Sequence, residues 1–215
     1  MRSVLAHPVL ARPILANSAL ALLAAAFLLP SPAVALNQVA VEDLAHHPLD
    51  AEFPSGGQLQ MHSRSADVRI VGSDENKVAV SVSGKEARDS DDIKARFQRN
   101  GDFGELWVTG GPSSNVTITV KVPKSSSLKV RIFAGDVEVM DIQGDKNIEL
   151  GAGDLTIGVG DAANYSRVEA SVATGDIEAP PFRESHGGLF RSFEKTGSGK
   201  YKLIAHVGAG DLTLK

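Results

Sequence analysis

The chain of 215 residues contains no cysteine. That excludes disulfide bonds and a lipid-bearing N-terminal cysteine, so the fold has to be held by its own hydrophobic core. Long apolar runs are missing too: the longest, Ala19 to Leu29, is 11 residues, where a membrane-spanning helix takes about 20. No second run of that kind follows, and no membrane span is expected once the N-terminus is removed. No later segment carries apolar residues at helical spacing over several turns, so helix is expected to be scarce. Aromatic residues make up only 5 % of the chain, which makes any cluster of them stand out.

What the N-terminus does have is Arg2 and Arg12, the apolar run, then Pro30, Ser31, Pro32 and the small-residue triplet Ala33-Val34-Ala35. This is the pattern of a secretory signal peptide over residues 1–35, cut after Ala35. The protein is therefore expected to be exported, to the periplasm or the cell surface. The mature chain, residues 36–215, is 180 residues long, enough for one domain with a substantial core. Without the two N-terminal arginines it has 20 basic against 26 acidic side chains, a formal charge of −6. That balance disfavours nucleic acid and anionic lipid as partners.

A repeat runs through the mature chain. A Gly-Asp pair followed by an apolar-polar-apolar triplet recurs as Gly135-Asp136-Val137-Glu138-Val139, Gly153-Asp154-Leu155-Thr156-Ile157, Gly175-Asp176-Ile177-Glu178-Ala179 and Gly210-Asp211-Leu212-Thr213-Leu214. A further copy, Ala66-Asp67-Val68-Arg69-Ile70, has alanine in place of the glycine. The residues eight, six and four before each aspartate, and one and three after it, are apolar except at Ser63 and Lys146. The positions between them are polar except at Ile204. Such alternation on both sides of a turn describes two short strands with one face buried and one wet, and it points Leu150 and Ile177 into the core.

The aspartates at 67, 136, 154, 176 and 211 are separated by 69, 18, 22 and 35 residues. Steps of about 20 residues are the length of one solenoid coil. The long first gap has room for further coils, with strands at Val78–Val82, Leu106–Val108 and Val116–Val122. The expected fold is all-β: a single right-handed parallel β-solenoid of roughly seven coils over residues 53–215, after a lead-in segment at 36–52 and with an inserted loop at 180–200. An antiparallel β-sandwich is the alternative.

The Val-Lys-Val-Pro-Lys run at 120–124 and the repeated Gly-Asp strands, ending in Val207-Gly208-Ala209-Gly210-Asp211-Leu212-Thr213-Leu214, resemble the putative-adhesin family of exported bacterial β-solenoid proteins, a domain of unknown function. The resemblance covers residues 53–215. It implies a right-handed parallel solenoid in the cell envelope or outside it, adhesive or scaffolding, and it brings no catalytic residues.

Individual motifs point to no reaction. Gly158-Val159-Gly160-Asp161-Ala162-Ala163 fits a loose dinucleotide pattern, but a strand follows where the phosphate-binding helix should open. The Gly-Asp clusters from Gly151 to Asp161 lack the tandem nine-residue period of calcium-binding β-rolls, and their aspartates are expected to accept backbone N–H bonds in their own turns. His46, His47, His62, His186 and His206 show no metal-ligand spacing. Stacked in chain order, the outward columns read Lys129-Asn147-Glu169, Arg131-Glu149-Ser171 and Glu138-Thr156-Glu178, with no adjacent carboxylates and with Arg131 paired to Glu149. The charged run Lys85 to Arg96 reads as a solvated turn. Residues 180–200 gather Phe182, Leu189, Phe190, Phe193, Arg183, Arg191 and Lys195, either as a cover over the solenoid or as a patch for a glycan or an envelope protein. No catalytic, cofactor or metal residue is assigned. The expected function is non-enzymatic binding or scaffolding, with a carbohydrate-active solenoid enzyme as the alternative.

Overall fold

The computed structural model of the chain describes residues 38–44, 46–84, 93–110 and 116–215. The expected signal peptide and residues 85–92 of the charged run lie outside the described residues. The period-two alternation produces sixteen strands among the described residues. They are β1 (Gln38–Asp43), β2 (Leu49–Glu52), β3 (Gln58–Ser65), β4 (Asp67–Ser73), β5 (Lys77–Gly84), β6 (Lys94–Asn100), β7 (Phe103–Thr109) and β8 (Val116–Pro123). β9 (Ser127–Ala134), β10 (Val137–Met140), β11 (Lys146–Ala152), β12 (Leu155–Ile157), β13 (Tyr165–Ala179), β14 (Glu184–Thr196), β15 (Tyr201–Ala209) and β16 (Leu212–Leu214) follow. The described helical residues are two short 3-10 turns, Ala162–Asn164 and Pro180–Phe182.

The strands hydrogen-bond in the order β1-β6-β7-β3-β9-β11-β15-β13-β16-β12-β10-β4-β8-β5-β2, with β14 paired to β13. The path doubles back at β13, whose first part pairs with β15 and whose Ile177 and Glu178 pair with β16. The result is a nearly closed, barrel-like sheet around one apolar core. Inward rows run straight across it: Met61, Val130, Ile148, Ala205 and Ala170 on one side, Val68, Val137, Leu155, Leu212 and Ile177 on the other. Leu150 and Ile177 are both buried. Each inward Val, Leu or Ile stabilises the fold by about 1.5 to 3 kcal/mol, so the rows together are the main cohesive term.

Two features of the expected architecture are corrected. The sheet is mixed, not all-parallel. β7 and β8 do extend the parallel ladders beside β3 and β4, but β1, β2, β5 and β6 pair antiparallel around them. Between β6 and β7 stand only Gly101 and Asp102, a tight hairpin connection, whereas a parallel step needs a crossover of about a dozen residues. The stacking order also departs from chain order. The copies follow one another as Asp67, Asp136, Asp154, Asp211 and Asp176, because β15 and β16 insert between β11–β12 and β13. Residues 180–200 make this possible: β14 returns antiparallel along β13 from Ala179 to Arg167, covering that edge, before the chain re-enters the stack.

The Gly-Asp turns are built against their neighbours in the stack. Gly135, Gly153, Gly175 and Gly210 have φ between 118° and 134°, a region open to glycine. A Cβ on any of them would stand 2.1 to 2.3 Å from a carbonyl oxygen of the preceding copy. Ala66 heads the column without a positive φ, which is why alanine is accommodated there. Asp67 Oδ1 accepts the Asp136 N–H at 3.1 Å, Asp136 Oδ1 that of Asp154 at 3.0 Å, Asp154 Oδ1 that of Asp211 at 2.9 Å, and Asp211 Oδ1 that of Asp176 at 2.9 Å. The expectation of bonds within each turn is thus corrected: every bond joins adjacent copies, because the stacked turns place each Asp N–H against the carboxylate of the copy before it.

An aspartate column about 4.8 Å per step carries a repulsion of about 1 kcal/mol per neighbour in water, which these N–H donors offset. Asp154→Ala orphans the Asp211 N–H and is expected to cost about 1 to 2 kcal/mol, read as a lower melting midpoint in urea. Melting of the unaltered protein with and without millimolar calcium should coincide. A calcium-dependent rise would mean that a shared cation, and not the N–H ladder, balances the column.

Candidate functional site

The outward face of β7, β3, β9, β11 and β15 carries the side chains with the most convergent chemistry. Because the strands are in register, one outward row runs Arg96, Trp107, His62, Arg131, Glu149, His206 and Ser171. Trp107 and His62 stack with centroids 6.2 Å apart and planes at 20°, and the Arg96 guanidinium lies 5.6 Å above the Trp107 ring. Gln60 Nε2 is 2.7 Å from His62 Nε2 and holds the imidazole in place. Arg131 donates from Nη2 to Glu149 Oε1 at 3.1 Å, with Nε 3.0 Å from Oε2, a two-pronged pair of the kind expected from the outward register. Ser171 Oγ meets His206 Nδ1.

Beside this row Phe133 is 75 % exposed. Its neighbours across the next strands are Gly151 and Gly208, where a Cβ would stand 2.4 and 2.3 Å from the oxygens of Phe133 and Gly151. The missing side chains leave a flat backbone strip next to an open phenyl ring. Together with Arg64 and the part of the row from Trp107 to His206, Phe133 and the two glycines line an open groove of about 1010 Å³. Flat apolar rings beside fixed donors and acceptors suit ligands that have both an apolar face and polar edges.

No protein-family model matches the chain, and no curated protein matches it. A putative cell adhesion protein from Clostridium sporogenes is similar in structure at 14 % identity and a TM-score of 0.44, covering 83 % of this chain and 100 % of that one. A putative adhesin from Bacteroides fragilis is similar at 10 % identity and a TM-score of 0.23, covering 83 % of this chain and 97 % of that one. Neither likeness is close enough to establish a fold or a function.

Sequence reading missed the groove, because its residues span positions 62 to 208 and come together only across five strands. Two signals were present: Phe133 and Trp107 are large apolar residues at outward phases of their strands, where the repeat otherwise places polar ones. The expected outward columns are corrected by the insertion of β15 and β16. They read Lys129-Asn147-Ile204-Glu169, Arg131-Glu149-His206-Ser171 and Glu138-Thr156-Thr213-Glu178. β14 also brings Glu194 opposite Glu169, so adjacent carboxylates do occur, bridged by Arg167 from the same face.

The aromatic and cationic cluster expected at 180–200 is divided by the strand pleat and its turn. Phe182 is buried against Tyr165, and Phe193 packs on the core. Lys195 is tied to the Phe182 carbonyl and to Glu184, and Arg191 donates to the Gly187 carbonyl. Leu189 and Phe190, 62 % and 83 % exposed, remain at the tip. His46 pairs with Asp43 and His186 with Glu184, each in a local contact apart from the groove that His62 and His206 line. In the Gly158 to Ala163 segment Asp161 caps a single 3-10 turn that runs into β13.

A second polar feature lies inside the core. Lys146, one of the two breaks in the apolar pattern, is 1 % exposed between Leu128 and Leu203. Its ammonium donates to Tyr165 Oη at 2.7 Å and to the Gly144 carbonyl at 3.3 Å, and Tyr165 Oη donates to the Val159 carbonyl at 3.2 Å. Burial lowers the Lys146 pKa to about 8 and raises that of Tyr165 to about 12. No described helix is long and apolar enough to cross a membrane.

Proposed function

We propose that this chain is an exported, non-enzymatic binding protein of the cell envelope or surface, with a short right-handed coil stack as its scaffold and a glycan as the occupant of its outward groove. The observation that carries the reading is the groove floor: Phe133 open beside the Gly151 and Gly208 strip, with the stacked Trp107 and His62 alongside. Sugar rings offer apolar C–H faces to such rings and hydroxyls to the charged and imidazole groups between them. The family resemblance supports the exported and adhesive part.

Support for a role without turnover is chemical. In-register ladder pairing engages the backbone of the groove strands, which leaves few free N–H groups to stabilise a developing oxyanion beside Ser171 and His206. A glycan-cleaving alternative has one observation in its favour, the facing Glu169 and Glu194. Arg167 bridges the two, and assays for newly released reducing ends are expected to stay flat.

Trp107 is the single tryptophan of the sequence, so its fluorescence reports groove occupancy directly. Purified cell-wall polysaccharide is expected to shift that emission and to retain the protein saturably. Phe133→Ala should weaken retention about tenfold, the scale of losing one stacking face. Arg69→Ala, on the opposite ladder, should leave it unchanged. Retention insensitive to Phe133→Ala would remove the groove as the binding surface.

A further inference from the structure

The charges around the groove narrow the class of glycan. The whole chain is acidic, at −4, yet the groove gathers cations. Arg131 and Glu149 neutralise one another at 3.0 Å. Arg64 lines the groove exposed and, among the described residues, has neither an ion pair nor a hydrogen bond. Arg96 sits over the Trp107 ring without a carboxylate partner among the described residues. The groove therefore presents one guanidinium unmatched by a described carboxylate, that of Arg64 on β3, between the strands of Trp107 and Phe133, with Arg96 beyond Trp107 on β6.

We infer that the groove binds an anionic polysaccharide, with Arg64 taking a carboxylate or sulfate of the sugar while Phe133 stacks on its ring and the edge of Trp107, held between His62 and Arg96, borders it. This rests on the glycan reading of the groove. A free guanidinium is the side chain best shaped for that task, since its planar fork offers two parallel N–H donors to one oxyanion. An exposed arginine normally finds solvent or a surface carboxylate, and such pairs are worth little. What distinguishes Arg64 is its position in the groove beside the open Phe133 ring, where a bound sugar displaces water from around the ion pair and strengthens it. The negative charge of the rest of the surface opposes non-specific adhesion of polyanions and so confines their binding to this face. Nucleic acid, also a polyanion with stacking faces, is an outcome the test has to separate.

The test uses Trp107 emission with polygalacturonate oligosaccharides, the same oligosaccharides with their carboxyl groups methyl-esterified, hyaluronan, heparin, and a single-stranded oligonucleotide. At least one of the acidic glycans is expected to bind, with an affinity that falls as salt is raised, and an uncharged ester should bind about tenfold more weakly than its parent acid. Arg64→Gln should cost the acidic ligand a similar factor and leave the ester unaffected, while Phe133→Ala weakens both. Equal binding of acid and ester, with Arg64→Gln silent and Phe133→Ala still damaging, would overturn the anionic inference and leave the glycan reading standing. No response to any of the glycans overturns the inference, and tighter binding of the oligonucleotide than of every glycan does the same.

Discussion

Leu150→Asp is expected to yield no folded protein. Leu150 is buried in β11 between Ile132 of β9 and Val207 of β15, at the centre of the parallel ladder that carries the groove. The substitution loses about 1.5 to 3 kcal/mol of apolar burial and places a carboxylate among apolar side chains, a further several kcal/mol. Against a total stability of about 5 to 15 kcal/mol, that removes the native state or leaves it marginal. The measurement is a urea titration followed by circular dichroism, with Leu150→Val as a control that should fold and lose only about 1 kcal/mol. A soluble Leu150→Asp protein with an unchanged midpoint would contradict the inward register of all five copies.

Lys146→Met is expected to raise stability at neutral pH, by about 2 kcal/mol, the net of the two terms that follow. The Lys146 pKa falls from 10.5 in the unfolded chain to about 8 in the fold, because burial disfavours the ammonium. A base with a lowered folded-state pKa destabilises the fold while both states are protonated, so the full penalty applies below about pH 8 and disappears as pH rises toward 10.5. A shift of that size corresponds to about 3 kcal/mol. Losing the bonds to Tyr165 and Gly144 takes back about 1 kcal/mol in the methionine variant, which leaves the net gain. The unaltered protein should therefore gain stability between about pH 8 and 10. Tyr165 then reverses the trend: with its pKa raised from 10.0 to about 12, the unfolded chain ionises first, so further increase in pH favours unfolding. Stability measured by urea midpoints across this range should peak near about pH 10, and the rise from about pH 8 should vanish in Lys146→Met. A flat profile in both proteins would show that the ammonium is hydrated in solution.

Much of the fold was legible because its signal is local. Leu128, Val130 and Ile132 before the Gly135-Asp136 turn, with Val137 and Val139 after it, are enough to assign a strand, a turn and a strand, and all five are buried as that phase requires. The pairing of Arg131 with Glu149 was legible for the same reason, since equal offsets from equivalent turns meet across a parallel ladder. The antiparallel flanks were not, because alternation gives the phase of a strand and says nothing of its direction. The order of the last two copies was equally hidden. Nothing in Gly210-Asp211-Leu212 distinguishes a coil added at the end from one inserted beneath β13.

The sequence by itself determined the all-β class, the inward and outward phases of each repeat, the Gly-Asp turns between them and the disulfide-free core, because each depends on residues within a few positions of one another. The tertiary structure alone decided which outward residues share a surface. Trp107, His62, Arg131, Glu149 and His206 form one row because strand order places β7, β3, β9, β11 and β15 side by side. That order is set by which ladder edges remain unpaired as the stack is built, a property of the assembled sheet that no single stretch of chain encodes.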